Sequence, residues 1–199
     1  QVGQTEFCLI GGVDSYIHPD TLEWLDEEGQ LMSAENRSGF PPGEGAGFCL
    51  LTSSKRAREL RCDILGWVVG AATTYEQNRI KTETICIGEG LTKAIEAVFS
   101  FLKLPEEKIN WTICDLNGER YRSEELTFTL LRTQGGFVSH HEYETPANCW
   151  GDVGAASGPL FVDMAVASGQ RGYAKGPRTL LWTSAEGGQR SAAILYVQG

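Results

Sequence analysis

The chain has 199 residues, of which 41% are hydrophobic and 22% charged, a composition typical of folded globular proteins and not of disordered ones. Its 17 Lys and Arg stand against 26 Asp and Glu, so the net charge is −9, which excludes broad binding to nucleic acid or anionic membranes. The sequence shows neither a long apolar run nor a basic, then apolar, leader, so we expect no transmembrane helix, no export signal and a cytoplasmic location.

Hydrophobic periodicity predicts helices that alternate with short apolar strands. The clearest helix places Leu91, Ile95 and Val98 on one face. In chain order, the predicted elements are strand 6–10, helix 19–28, strand 47–52, helix 53–60, strand 63–72, helix 90–104, strand 109–114, helix 123–131, helix 154–168 and a closing hairpin of strands 179–183 and 192–197. Gly11 and Gly12 are predicted to form the turn that ends the first strand. This alternation predicts an α/β fold with a mixed sheet.

The chain has six cysteines, and no two of them form a C-x-x-C pair, which argues against a zinc ribbon or a thioredoxin-like site. Most lie in apolar runs and are predicted to be buried, inert thiols in a reducing compartment. Only Cys149 lies in a loop-like context, where a reactive thiol is the alternative. The six are Cys8, Cys49, Cys62, Cys86, Cys114 and Cys149.

Three segments together carry a resemblance to a known family. They are LIGGVDSYIHPDTLEWLDEEGQLM (9–32), SGFPPGEGAGFCLLTSSKRAREL (38–60) and CWGDVGAASGPLFVDMAVASGQRG (149–172), followed by TSAEGGQRSAAILY (183–196). In this order and spacing they resemble the β-ketoacyl synthases, the condensing enzymes of fatty-acid and polyketide assembly. The resemblance implies a partial thiolase-like fold, layered α/β/α with mixed sheets. Residues 1–72 would form the later part of its N-terminal half, and 73–199 its C-terminal half.

The glycines in these segments have a structural interpretation. Gly43, Gly45 and Gly47 are predicted to let the backbone turn tightly and pass close to another segment before a strand. Gly154 is predicted to let a helix approach the sheet closely. Because the Gly43–Gly47 run leads into a strand and not into a helix, it does not indicate a phosphate site.

Family chemistry needs a cysteine nucleophile and two imidazoles that support decarboxylation. By the resemblance, the cysteine would lie upstream of Gln1, and the Met-less start suggests a processed or truncated product. The first histidine position is occupied by Asn117 and the second by Asp152, while the family lysine falls on Ala147. Condensing activity of the usual type is therefore not expected.

The terminal turn also departs from the family pattern. Its gating phenylalanine corresponds to Glu186, and we expect the segment Glu186-Gly187-Gly188 to contact substrate. Glu119 and Asp152 would meet at the family's active-site position, where two interpretations stay open. The carboxylates could act as acid and base, or they could be a polar remnant of the site.

No metal or cofactor is expected. His18, His140 and His141 are interpreted as surface residues. A metal site formed by His140, His141 and Glu144 is the alternative, although adjacent histidines in a strand would point to opposite faces. Asp14 is predicted to cap its own backbone.

Two functional hypotheses follow. The first is a non-condensing homologue that acts as a partner or scaffold in fatty-acid or polyketide biosynthesis. The second is an acyl-transfer, hydrolytic or condensing enzyme that uses Asn117, Glu119 and Asp152, or a cysteine upstream of Gln1. Expected partners are the missing N-terminal portion or a second chain, in a homo- or heterodimer. An acyl carrier protein is a further candidate, although the acidity of this chain opposes its docking.

Overall fold

The computed structural model describes residues 6–79 and 82–198. In chain order its elements are β1 (Phe7–Ser15), α1 (Pro19–Glu27), β2 (Glu44–Thr52), α2 (Ser54–Glu59), β3 (Trp67–Tyr75), α3 (Glu89–Phe99), β4 (Trp111–Cys114), α4 (Arg120–Thr133), β5 (Tyr143–Glu144), α5 (Ala147–Trp150), α6 (Ser157–Gln170), β6 (Arg178–Ser184) and β7 (Gln189–Tyr196). Short 3₁₀ turns precede β5 and α6, at Gln134–Gly136 and Gly154–Ala156. Among the described residues, no helix is both long and apolar enough to cross a bilayer.

The larger sheet has the strand order β3-β7-β6-β4-β5. β4 runs parallel to β5 and β6, whereas β7 is antiparallel to β6 and β3, so the predicted mixed sheet and closing hairpin are confirmed. Neighbouring residues of a strand point to opposite faces, and Leu180 belongs to a different apolar cluster from Leu181. On one face, α3 and α4 pack against the sheet, and on the other face α6 does, which gives the α/β/α layering.

The smaller sheet is a two-stranded ribbon in which β1 pairs antiparallel with β2, from Phe7 opposite Thr52 to Ser15 opposite Glu44. α6 packs on one side of it. The other side, here called the outer face of the ribbon, carries apolar side chains that the described residues leave exposed: Phe7, Leu9, Val13, Phe48 and Leu50.

The turn predicted at Gly11-Gly12 is wrong, because β1 continues through both glycines. These positions need glycine for close approach. A Cβ at Gly12 would collide with the backbone of Ala155, and one at Gly11 would collide with the ring of Phe48. The first residues of β1 are also exposed, although an apolar run such as 6–10 is typical of a buried strand.

Other boundaries shift as well. The strand predicted at 63–72 is β3, which runs from Trp67 to Tyr75 and pairs with β7, and the division of the chain between residues 72 and 73 stays a prediction. The two-residue strand β5 was not predicted. A strand of two residues is too short to produce a hydrophobic periodicity in the sequence.

The prediction of buried thiols holds for Cys114 but not for the set: Cys8, Cys62 and Cys149 are exposed, and Cys49 and Cys86 are half-buried. Cys62 and Cys86 lie in loops and Cys149 lies in α5, so none of these three belongs to a buried strand. Burial raises the pKa of the Cys49 thiol to about 11, and it also raises the pKa of Cys86 and Cys114. These three groups therefore remain protonated thiols at neutral pH.

Candidate functional site

A cavity of about 640 Å³ lies where the ribbon, α1, the segment after β4, the start of α6 and the β6–β7 turn meet. Asn117 and Glu119 reach it because they follow directly on the carboxyl end of β4, with Glu119 at the N-cap of α4. Asp152 reaches it from the turn after α5, whose backbone hydrogen-bonds to Pro41 and Gly43. The structure thus brings the three predicted residues together.

Asn117 is the centre of the arrangement. Its Nδ2 group donates to Glu119 Oε2 at 3.0 Å and to Asp152 Oδ2 at 2.8 Å, so both amide hydrogens are used. Its Oδ1 accepts the backbone N–H of Glu119 at 3.2 Å. Asn117 is 1% exposed, and a buried amide with every hydrogen engaged is held in one orientation.

Arg122 supplies the countercharge from the first turns of α4. Its Nε donates to Glu119 Oε2 at 3.0 Å and its Nη1 donates to Asp115 Oδ2 at 3.1 Å. Nη1 also donates to Ser184 Oγ at 2.6 Å, and the backbone N–H of Ser184 donates to Asp115. One guanidinium therefore joins two buried carboxylates and the end of β6.

Two residues of the cavity, Asp115 and Arg122, were not predicted as site residues from the sequence. The available signal is an aspartate directly after a buried strand, followed by a Glu and an Arg three positions apart at the start of a helix. That spacing places the Glu and Arg side chains together.

Burial raises two pKa values in the cavity. It raises the pKa of Asp115 to about 6, although the neighbouring Arg122 acts in the opposite direction. It also raises the pKa of Tyr16 to about 12, and the negative charges of Asp152 and Asp14 add to the effect. Tyr16 is therefore a neutral hydrogen-bonding group at physiological pH.

Two carboxylates hold the turn that leads into α6. Asp14 Oδ1 accepts from the N–H of Ser15, as predicted for a local cap, but Asp14 Oδ2 also accepts from Ala155 N–H at 2.9 Å. Asp152 Oδ1 accepts from Gly154 N–H at 2.8 Å. A carboxylate at such a turn satisfies backbone donors that have no partner within the helix.

The glycines of the resembling segments lie at close approaches. A Cβ at Gly43 would collide with the carbonyl of Trp150, and one at Gly47 would come within 3.0 Å of Leu160. A Cβ at Gly45 would lie 3.2 Å from the Leu160 side chain. Gly154 has φ of +50°, a left-handed conformation that disfavours side chains, and its Cβ would meet the Asp14 carboxylate.

The β6–β7 turn lies at the edge of the same cavity. Glu186 accepts a hydrogen bond from Gln30 Nε2 at 2.8 Å. The carbonyl oxygen of Gly187 accepts a hydrogen bond from Arg79 Nη1. Gly188 has φ of +104°, which only glycine adopts readily.

The three histidines are not part of the cavity lining. His140 and His141 lie in a turn before β5 and not in a strand, so the alternation of strand faces does not apply, and their rings are 3.9 Å apart and tilted by 44°.

The charges in the cavity are unbalanced. Among the described residues, Arg122 is the one cationic side chain in its lining. Its acidic lining residues are Asp14, Asp115, Glu119, Asp152 and Glu186. Negative charge that develops in this cavity is therefore opposed by several fixed carboxylates, and the Arg122 guanidinium is already paired.

Among the described residues, one group brings three possible metal ligands together: Glu76, Cys86 and Glu125. Arg190 already forms an ion pair with Glu125, and Glu76 accepts from the N–H of Gly90 at 2.7 Å. The carboxylates thus have protein partners, and we assign no metal to this group.

Known proteins that resemble this chain are found by sequence and by structure, although not among family models. No family model matches the chain. A putative polyketide beta-ketoacyl synthase 1 from Streptomyces halstedii is 24% identical over 156 residues, which cover 72% of this chain and 36% of the relative. A ketosynthase from module 6 of the bacillaene synthase from Bacillus subtilis 168 superposes on 98% of this chain with a TM-score of 0.83, at 17% identity, using 43% of its own length.

The chain is ketosynthase-like. Its fold is the thiolase-like α/β architecture, as the sequence predicts. A second similar structure, the ishigamide ketosynthase/chain length factor, has a TM-score of 0.82 at 16% identity, and the match covers 99% of this chain and 55% of that one. This ketosynthase-like chain spans 36% of the length of the Streptomyces halstedii relative.

Proposed function

We propose that this ketosynthase-like chain takes part in polyketide biosynthesis without performing decarboxylative condensation. The observation that carries the proposal is the state of Asn117, whose two amide hydrogens are both held by carboxylates. A group that stabilises an enolate must offer a free, preorganised donor to the developing negative charge. Asn117 offers none, and Glu119 and Asp152 beside it repel an anion.

The proposed role is that of a non-condensing partner or scaffold. The outer face of the ribbon supports it, because Leu9 and Leu50 are 68% and 64% exposed and lie directly opposite each other in the register. Exposed apolar patches of this kind mark interaction surfaces. The name of the ishigamide structure joins a ketosynthase with a chain length factor, which supports a role beside another protein.

We further propose that a second thiolase-like layer covers the outer face, in the same protein or in a second chain. Leu9→Lys or Leu50→Lys in the full-length protein tests this, with Val138→Lys as a control at a residue that is 66% exposed elsewhere. Light scattering reports a halved mass if a second chain covers the face. An unchanged mass with a lowered melting temperature indicates a layer from the same protein. An unchanged mass and melting temperature contradict the proposal.

Condensation itself is tested with the full-length protein and malonyl-carrier protein labelled in the carboxyl group. We expect no protein-dependent release of labelled CO₂, whereas an active ketosynthase assayed in parallel releases it. The companion assay uses a labelled acyl-carrier protein and looks for an acylated protein band. Release of CO₂, or a band abolished by Cys→Ala at an upstream cysteine, would overturn the proposal.

A second function, acyl transfer or hydrolysis, is favoured by one observation. The pKa of Asp115, raised to about 6 by burial, is closer to neutrality than that of an ordinary aspartate, as general acid or base catalysis requires. Asp115 is hydrogen-bonded to Arg122 and Ser184, however, which favours a structural role. Release of free acid from the labelled acyl-carrier protein that is lost in Asp115→Asn would establish this second function.

A further inference from the structure

Helix α1 presents a face with no partner in the described part of the chain. Of its nine residues, only Leu25 is buried. The next residue, Trp24, is 51% exposed at the cavity, and Asp20, Glu23 and Glu27 on the same helix are also exposed. Residues three and four positions apart are neighbours on a helix surface, so Asp20 and Glu27 flank the indole one turn away on either side. We call these four residues the acidic face of α1.

The carboxylates of this face have no strong cationic partner. Asp20 lies 4.0 Å from His18 Nδ1, and no Lys or Arg among residues 6–79 and 82–198 pairs with Glu23 or Glu27. The last turn of α1 contains no basic residue. Acidic side chains at a helix C-terminus oppose the helix dipole, so Glu27 is placed where an external cation would stabilise it.

Trp24 adds an exposed aromatic ring to the carboxylates of this face. Its indole is half exposed at the end of the cavity, where an arginine or lysine can stack on it. Tryptophan is also the side chain that most often anchors protein interfaces. The carboxylates that line the cavity behind it add to the negative potential, and Arg122 does not offset them, because it is already paired.

We propose that the acidic face of α1 docks a basic segment of a partner protein, with an Arg or Lys side chain stacked on Trp24. Charge complementarity determines the class of partner. Acidic proteins, nucleic acids and anionic lipid surfaces are repelled by the same carboxylates. This surface is separate from the outer face of the ribbon, and its occupation does not depend on whether the chain condenses acyl groups.

The test is fluorescence anisotropy with a fluorescein-labelled (Arg-Gly)₃ peptide and the full-length protein at low salt. We expect saturable binding that weakens as NaCl is raised, and none with the (Glu-Gly)₃ peptide. Trp24→Leu is expected to weaken binding about tenfold, and Trp24→Phe to weaken it less, because phenylalanine retains an aromatic face. We expect circular dichroism of each variant to show that the fold is retained, because Trp24 is half exposed.

A matched control separates this site from general electrostatics. Glu23→Gln/Glu27→Gln removes two charges from α1, and Glu89→Gln/Glu96→Gln removes two from exposed positions on α3. We expect the α1 pair to weaken binding at least several-fold and the α3 pair to have little effect. Equal weakening by both pairs, equal affinity of Trp24→Leu and wild type, or no binding of (Arg-Gly)₃ would each overturn the proposal.

Discussion

Arg190 grips the carboxylate of Glu125 through two hydrogen bonds, from Nε to Oε1 at 2.6 Å and from Nη2 to Oε2 at 3.0 Å. The side chains of both residues are buried, at 3% and 1% exposure. The remaining nitrogen, Nη1, donates to the carbonyls of Ala185 and Gln189 at the two ends of the β6–β7 turn. This ion pair therefore fastens the turn that carries Glu186 to helix α4.

Arg190→Met is expected to cost about 3–5 kcal/mol of unfolding free energy, because it leaves the buried charge of Glu125 without a partner. Urea denaturation at pH 7 measures the loss. Arg120→Met is the control, since it breaks the exposed Arg120–Glu124 pair, worth at most about 1 kcal/mol. Similar losses of unfolding free energy in the two variants would show that the buried ion pair contributes no more to stability than the exposed one.

Asn117→Ala removes the amide that separates Glu119 from Asp152. We expect a loss of about 1–3 kcal/mol at pH 7, because two carboxylates lose their shared donor. Asn148→Ala, at an exposed amide that donates to Thr145 Oγ1, serves as control. A loss for Asn117→Ala no larger than that for Asn148→Ala would contradict this explanation.

Asp115 predicts a specific pH dependence. Its pKa rises from 3.8 to about 6 on folding, so the folded state binds a proton more tightly than the unfolded state. The resulting stabilisation is fully present below about pH 3.8 and is lost as the pH rises through 6, a change of about 3 kcal/mol. We expect the unfolding free energy of wild type, measured relative to Asp115→Asn, to fall between pH 4 and pH 7. Parallel curves for the two proteins would rule this out.

Gly154 and Gly158 form a matched pair at the start of α6. Gly154→Ala would force a side chain into φ of +50° and against Asp14, and we expect it to cost more than about 1 kcal/mol. Gly158 lies in the helix with open space around its Cβ position, so Gly158→Ala should stabilise by about 0.5–1 kcal/mol. Thermal denaturation compares them, and shifts of the same sign would disprove the assignment.

The parts of the fold that the sequence predicts well are those with local causes. Leu91, Ile95 and Val98 repeat at helical spacing, and all three are fully buried in α3. The β6–β7 hairpin likewise follows from two apolar runs around a glycine turn. Both patterns reflect one face of one element packing against the core, which periodicity captures.

The features that escaped prediction depend on distant residues. Gly12 looks like a turn locally, but its place is set by the backbone of Ala155, far along the chain. At the site, the family resemblance pointed to Asn117, whereas Arg122 was missed because two of its partners, Asp115 and Ser184, lie at the ends of the separate strands β4 and β6. Only the folded chain brings these groups together.

The way Asn117 is held also governs how this site could be altered. An imidazole introduced by Asn117→His would sit between Glu119 and Asp152, whose charges favour its protonated form. Both ring N–H groups would then donate to carboxylates of the protein, and neither would be free to bind an enolate. We therefore expect positions 117, 119 and 152 to be energetically coupled, and Asn117→His alone to supply no free donor. A route from this sequence to an enolate-stabilising site requires the three residues to be exchanged as a set.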